Sequence, residues 1–220
     1  VDWDDYVEEW SEDNNYREEW FYWRHPTSLS DPSAETNYGD TVPISTRLTD
    51  ESGNPVSGKT IKFYVYYDGS WHLIDEDETD SNGNAEVPYT PEPDLAPGSY
   101  QLKVVFEGDD YYKESEKTGT LTINKENTQL SDPSRSGCYS DAVTIITRLT
   151  DDEGNPIADR VVYFEYYDGS WKSLGSDPTD SSGYASITVT LDMEPGSYSL
   201  RVRFDGDEYY EGCESTGTLT

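Results

Sequence analysis

The sequence predicts an all-β fold, two tandem β-sandwiches preceded by an aromatic-rich N-terminal segment. Three observations predict it. One pattern occurs twice at a spacing of about 100 residues, too long for a solenoid of short units. Inside each copy, apolar residues alternate with polar ones, the period-2 signature of half-buried strands. Gly- and Pro-containing turn signals punctuate these runs about every 8–12 residues. Residues 46–56 read TRLTDESGNPV and residues 147–157 read TRLTDDEGNPI. YYDGSW occurs at 66–71 and 166–171, and TDSNG at 79–83 matches TDSSG at 179–183. PGSYQLKVVFEGDDYY at 97–112 matches PGSYSLRVRFDGDEYY at 195–210, and TGTLT occurs at 118–122 and 216–220. The copies divide the chain into a leader, 1–26, a first domain, 27–127, and a second, 128–220. The polar stretch NKENT at 124–128 reads as a short hinge that limits relative motion and favours an extended rod.

The strands can be taken in order. Val42, Ile44, Thr46 and Leu48 alternate with polar neighbours, and Val143, Ile145, Thr147 and Leu149 repeat them. Ile61, Phe63 and Val65 supply the next strand. The second copy has Val161, Val162, Tyr163, Phe164 and Glu165 there, with Glu165 standing where Val65 stood. Asp68-Gly69 and Asp168-Gly169 read as two-residue hairpin turns, because both residue types tolerate the positive φ of a type I′ turn. Tyr100, Leu102, Val104 and Phe106 alternate, as do Tyr198, Leu200, Val202 and Phe204. Short strands at this spacing make a sandwich of immunoglobulin type. No helix of ordinary length fits inside either copy.

The run of GNPV or GNPI, an aromatic strand, TDSNG or TDSSG, and then PGSY-x-L-x-V-x-F-x-GD-x-x-Y resembles the prokaryotic immunoglobulin-like repeats of archaeal and bacterial surface and adhesin-like proteins. The resemblance covers roughly residues 27–220 and not the leader. It implies a module that serves as spacer, stalk or adhesive segment, on an extracellular or cell-surface protein.

Composition excludes other classes. Asp and Glu number 46 against 15 Lys and Arg, a net charge of −31. Such a chain is repelled by nucleic acid and by anionic membrane. Only 33% of residues are hydrophobic, yet 19 Tyr and 6 Trp supply large buried area with a polar tip. No apolar run approaches the roughly 20 residues of a membrane-spanning helix. Asn-x-Ser/Thr sequons are absent.

Candidate chemistry is sparse. Cys138 and Cys213 cannot make a four-thiolate zinc site, and each sits beside a glycine in polar surroundings. They read as a disulfide formed in an oxidising compartment, closing a loop of about 75 residues worth on the order of 4 kcal/mol. His25 and His72 have no evident nucleophile or acid partner, so an enzyme is not expected. Asp75, Asp77 and Asp80 crowd one acidic stretch of hard oxygen ligands, a weak candidate for Ca²⁺; the EF-hand pattern is not met. The pairs Tyr66-Tyr67, Tyr111-Tyr112, Tyr166-Tyr167 and Tyr209-Tyr210 recur in both copies. Aromatic platforms bind sugars, which makes surface glycans a candidate partner. Recurrence at matching positions favours packing, with one Tyr of each pair turned inward.

The leader carries Trp3, Trp10, Trp20, Phe21, Tyr22 and Trp23 among nine acids. Exposed aromatics of this density mark an interaction surface. Its first half fits a helical stripe, whereas Glu19–Arg24 has high β propensity. At the other end, the second copy stops at Thr220, before the counterparts of Ile123 and Asn124, which leaves an edge that can recruit a strand. Together these features give two expectations. In one, the chain is an extracellular filament subunit that self-associates head-to-tail, its leader packing on or adding a strand to a neighbour. In the other, it is a stalk or spacer of a multi-repeat adhesin, or a glycan-binding module.

Overall fold

The computed structural model describes residues 24–93 and 95–220. The leader aromatics Trp3, Trp10, Trp20, Phe21, Tyr22 and Trp23, and with them all but Arg24 of the Glu19–Arg24 stretch of high β propensity, lie outside the described residues. The described chain is all-β. The first repeat contains β1 (Thr27–Leu29), β2 (Ala34–Asn37), β3 (Val42–Asp50), β4 (Thr60–Tyr67), β5 (Ser70–Glu78), β6 (Asn84–Tyr89), β7 (Gly98–Phe106) and β8 (Ser115–Asn124). The second contains β9 (Thr128–Leu130), β10 (Ala142–Asp151), β11 (Val161–Tyr167), β12 (Trp171–Pro178), β13 (Tyr184–Thr190), β14 (Tyr198–Phe204) and β15 (Cys213–Leu219). Each repeat forms two sheets of its own. The first has β1-β3-β6 facing β2-β8-β7-β4-β5, and the second has β9-β10-β13 facing β12-β11-β14-β15.

Alternation places the cores where the sequence predicts. Ile44, Thr46 and Leu48 are buried on β3 while Ser45 and Arg47 face solvent. Ile61, Phe63, Leu102, Val104, Leu121 and Ile123 complete the first core. Ile145, Val162, Phe164, Leu200, Val202 and Leu219 form the matching cluster of the second. The buried hydroxyls of Thr46 and Thr147 donate to the carbonyls of Ser30 and Ser131, each at 2.8 Å, so neither leaves an unpaired polar group inside.

The first strand of the first repeat changes sheets. β1 pairs antiparallel with β3, then the chain crosses at Asp31-Pro32-Ser33, and β2 pairs parallel with β8. Pro32 lacks the N–H that would continue the β1 ladder. Asp31 Oδ1 accepts from Ser33 N, and Ser33 Oγ accepts from Thr120 N. The crossing chain lies so close to β8 that a Cβ at Gly119 would sit 2.5 Å from Asp31 Oδ1 and 2.8 Å from Ser33 Oγ. Gly217 meets Asp132 and Ser134 in the same way, which explains why TGT recurs. The second crossing is shorter, with Arg135 bridging Leu219 in place of a full β2.

Two expectations are corrected. The first hairpin is the two-residue turn expected, with Asp68 at φ 49° and Gly69 at φ 77° between the paired Tyr67 and Ser70. In the second, Tyr167 pairs with Trp171, so the same hexapeptide closes a three-residue loop in which Gly169, at φ 76°, has the positive φ. The cross-strand partners settle the register. Val65 lies opposite Leu102 and Tyr166 opposite Leu200, so Tyr166, not Glu165, takes the place of Val65. Glu165 faces outward, opposite Arg201, with Oε2 2.7 Å from the Arg201 Nη2.

The expected disulfide is also corrected. Cys138 and Cys213 are free thiols. Cys213 opens β15, whereas Gly137 N donates to the carbonyl of Thr220 beyond the end of that strand. The length of β15, about 20 Å at ~3.3 Å per residue, therefore separates the two cysteines, and a disulfide needs Cα atoms within about 7 Å.

Gly119→Ala and Gly217→Ala should each lower the urea-unfolding free energy by about 1–3 kcal/mol, because the added methyl must push the crossing strand away. An unchanged midpoint in either variant would contradict the close approach. Without added reductant, the denatured chain should titrate two thiols with a thiol-reactive dye. In the native chain Cys138 should react first, since burial pushes the Cys213 thiol up. A denatured chain with no reactive thiol would restore the disulfide.

Candidate functional site

The turns hold much of the acidic charge in structural work. Asp50 and Asp80 each accept two backbone N–H groups through Oδ1. Asp151 and Asp180 occupy the same turns in the second repeat. Asp109 Oδ1 accepts from both Tyr111 N and Tyr112 N, and Asp207 Oδ1 from Tyr209 N and Tyr210 N. The Asn54 side-chain amide and then these backbone donors hold Asp50 below the ordinary carboxylate range, and the backbone donors do the same for Asp80. The acidic stretch singled out for calcium is used similarly. Asp75 and Asp77 lie on β5, and Asp77 Oδ2 accepts from Glu86 N. Asp75, Asp77 and Asp80 are not the acids that the fold gathers. Among the described residues the gathered set is Glu126, Asp152 and Glu153, and nothing in the sequence pattern marked it.

That set lies where the first repeat passes into the second. Glu126 N donates to the Tyr209 carbonyl at 2.9 Å, and its own carbonyl accepts from Glu211 N at 2.8 Å. Glu126 is thereby stitched into the second repeat, 3% exposed, and neither carboxylate oxygen has a hydrogen-bond donor. Oxygens of Glu126, Asp152 and Glu153 lie within 4.8 Å of one another. Burial first, then the neighbouring Asp152, Asp40 and Glu153, push the Glu126 carboxyl up to about 8. Protonated, it can donate to Asp152, whose Oδ2 also accepts from Asn127 Nδ2 at 3.1 Å; ionised, it faces further carboxylates with no cation paired to it among the described residues.

The joint has an aromatic side as well. Tyr38, just past β2, packs its ring 4.8 Å from Tyr209 and edge-on to Tyr210 at 5.9 Å. Arg160 supports the pair from below, ion-paired to Asp207 at 2.5 Å with its guanidinium 5.1 Å from the Tyr210 ring centre. Lys125 Nζ donates to the Asp207 carbonyl at 2.6 Å. At the far end of the first repeat the same device recurs, with no tyrosine laid over it among the described residues. Lys59 pairs with Asp109 at 2.6 Å under Tyr112, and Tyr111 is 71% exposed. Tyr139, the counterpart of Tyr38, is 64% exposed.

The tyrosine pairs pack as expected, one inward from each. Tyr67 and Tyr112 lie against the first core, and Tyr166 and Tyr210 against the second. His72 stacks on Tyr67 with ring centres 3.8 Å apart and shares a hydrogen bond with Ser70 Oγ. Beside β15, an apolar hollow of about 270 Å³ is lined by Leu191, Met193, Tyr198, Leu219 and Cys138.

Fold and joint define a protein of tandem immunoglobulin-like β-sandwiches. Residues 29–124, within the first repeat, match the family model of the bacterial Ig-like domain, group 3. The inverse autotransporter adhesin YeeJ of Escherichia coli (strain K12) is 28% identical over 183 residues. That match takes in 81% of this chain but only 7% of the adhesin's length. Among solved structures, invasin, described as a bacterial integrin-binding protein, is 18% identical with a TM-score of 0.46, over 88% of this chain and 38% of that one. The Yersinia pseudotuberculosis adhesin InvE is 16% identical with a TM-score of 0.36, over 88% of this chain and 58% of that one.

Tyr38→Ala should loosen the joint and, because Tyr38 also packs against the edge of the first core, lower the stability of that repeat modestly. The aromatic contact is worth about 0.5–1.5 kcal/mol, and its loss should broaden the distribution of inter-repeat distances in small-angle scattering. An unchanged distribution would show that the backbone stitching at Glu126 alone sets the joint.

Proposed function

We propose that the chain is a load-bearing stalk or spacer segment of a cell-surface adhesin, in which immunoglobulin-like repeats stack end to end. One observation carries this reading. Each repeat has, at one end, a tyrosine that covers its neighbour, and at the other a tyrosine pair to be covered. Between the two repeats these halves meet as Tyr38 on Tyr209 and Tyr210. The outer halves, Tyr139 and Tyr111, stand exposed among the described residues. Similarity to an inverse autotransporter adhesin supports an extracellular, cell-surface setting. The acidic outer faces suit such a setting, since like charge keeps neighbouring stalks apart.

A second reading is self-assembly into a filament through the leader. The hollow beside β15, lined by Leu191, Met193, Tyr198 and Leu219, supports it, because an added apolar strand would have a place to bury side chains. Negative-stain electron microscopy of the full chain beside a variant lacking residues 1–26 separates the two. The stalk reading expects single rods of two repeats from both proteins, at every concentration. Regular filaments from the full chain, lost in the truncated one, would replace the stalk with the filament.

A further inference from the structure

We propose that the joint between the repeats is a divalent-cation site, built by Glu126, Asp152 and Glu153 with Asp40 opposite them, and that Ca²⁺ is the ion it suits.

The two repeats supply an internal control. Position 126 corresponds to position 25, since TSLSDPS at 27–33 matches TQLSDPS at 128–134. The backbone confirms the equivalence. His25 bridges Tyr112 in parallel, and Glu126 bridges Tyr210 in parallel. His25 N donates to the Tyr111 carbonyl as Glu126 N donates to that of Tyr209. In the first repeat this niche pairs His25 with Glu51 at 4.0 Å, a basic ring against one acid. In the second, the basic ring is replaced by Glu126, Glu51 by Asp152, and Ser52 by Glu153. The same fold thus sets an imidazole beside one acid in one place and gathers three acids in the other, where Asn127 Nδ2 donates to Asp152 Oδ2 at 3.1 Å.

Burial makes the difference matter. Exposed acids repel one another weakly in water, but Glu126 is 3% exposed and both its oxygens lack a donor. A buried carboxyl in this condition either keeps its proton or takes a positive partner, and a cation would displace the proton. The oxygens of Glu126, Asp152 and Glu153 already converge within 4.8 Å, a spacing that one cation can span. Beside them opens a polar hollow of about 510 Å³ that runs across the joint, lined by Glu35, Asp40 and Asn124 of the first repeat and by Glu153 of the second. It offers room for waters and further oxygen ligands. All the donors are hard oxygens, with no nitrogen or sulfur among them. That set favours Ca²⁺, which takes 6–8 oxygens in adaptable geometry, over zinc. An ion held there would tie the linker at Glu126, the β10 turn at Asp152 and Glu153, and the first repeat at Asp40. It would stiffen the joint, whether or not the chain serves as a stalk.

The test is calorimetric titration of the chelator-treated full chain with CaCl₂ in 150 mM NaCl, with thermal unfolding read in parallel. The expected result is one saturable site per chain and an unfolding midpoint that rises with CaCl₂. The doubly substituted Asp152→Asn, Glu153→Gln chain should lose roughly tenfold or more in affinity. Both residues are exposed, so this variant keeps its fold, and its calcium-free midpoint should not fall. Glu126→Gln should abolish the rise in midpoint. Absence of a saturable site would overturn the proposal, as would binding that is unchanged in the double variant, which would assign the calcium to the diffuse surface charge. Neither outcome bears on whether the chain forms rods, which microscopy reads separately.

Discussion

Scarcity of apolar residues constrains the whole molecule. One third of the chain is hydrophobic, and the rest carries a net charge of −31. Two cores can be filled only if nearly every apolar strand residue points inward, so strict alternation on β3, β4, β7 and β8, and on β10, β11, β14 and β15, is the condition for folding at all. A one-residue slip anywhere would turn Ile, Phe and Leu outward and bring Lys, Glu or Arg in. Where a strand must change sheets, the chain meets this condition with a proline, an aspartate that caps the kink, and a glycine that lets β8 pass close by.

The same constraint explains the acids. A small core cannot hold long loops in place, so the loops are tied by aspartates that accept backbone N–H groups two to four residues on. Asp31, Asp50, Asp80 and Asp109 do this in the first repeat, and Asp132, Asp151, Asp180 and Asp207 in the second. Much of what reads as undifferentiated negative charge is therefore hydrogen-bonded turn structure. Against that background Glu126 stands out, because it is more buried than any of these aspartates and has no donor on either oxygen.

The fold was legible because its signals are local and occur twice. The strands, the inward tyrosines and the two sandwiches follow from periodicity and repetition. Side-chain register was less legible. Glu165 looked like a polar residue in an inward slot because the copies were aligned on YYDGSW. That hexapeptide closes a loop one residue longer in the second repeat, so alignment on the turn misplaces the strand before it. The cysteines misled for a different reason. Their flanks are polar and glycine-rich, but only the third dimension shows that β15 runs its full length between them. The acidic joint was invisible because its members come from the linker, a β10 turn and the loop after β2, none of which forms a motif in one stretch of sequence.

Comparison of the copies also separates what the fold needs from what it does not. Core positions, turn aspartates and the close-approach glycines agree between the repeats, because each is required to close a sandwich with so little apolar material. At the niche occupied by His25 and Glu126 the backbone pairing is the same and the side chains are opposite in character. Neither side chain is therefore needed to make the sandwich. The Glu126 niche lies between the two repeats, where Asp40 and Tyr38 arrive from the first. A change of residue at the niche that meets the other repeat is what a joint requires: the sandwich stays constant, and the contact between sandwiches is set by the few side chains that face across it.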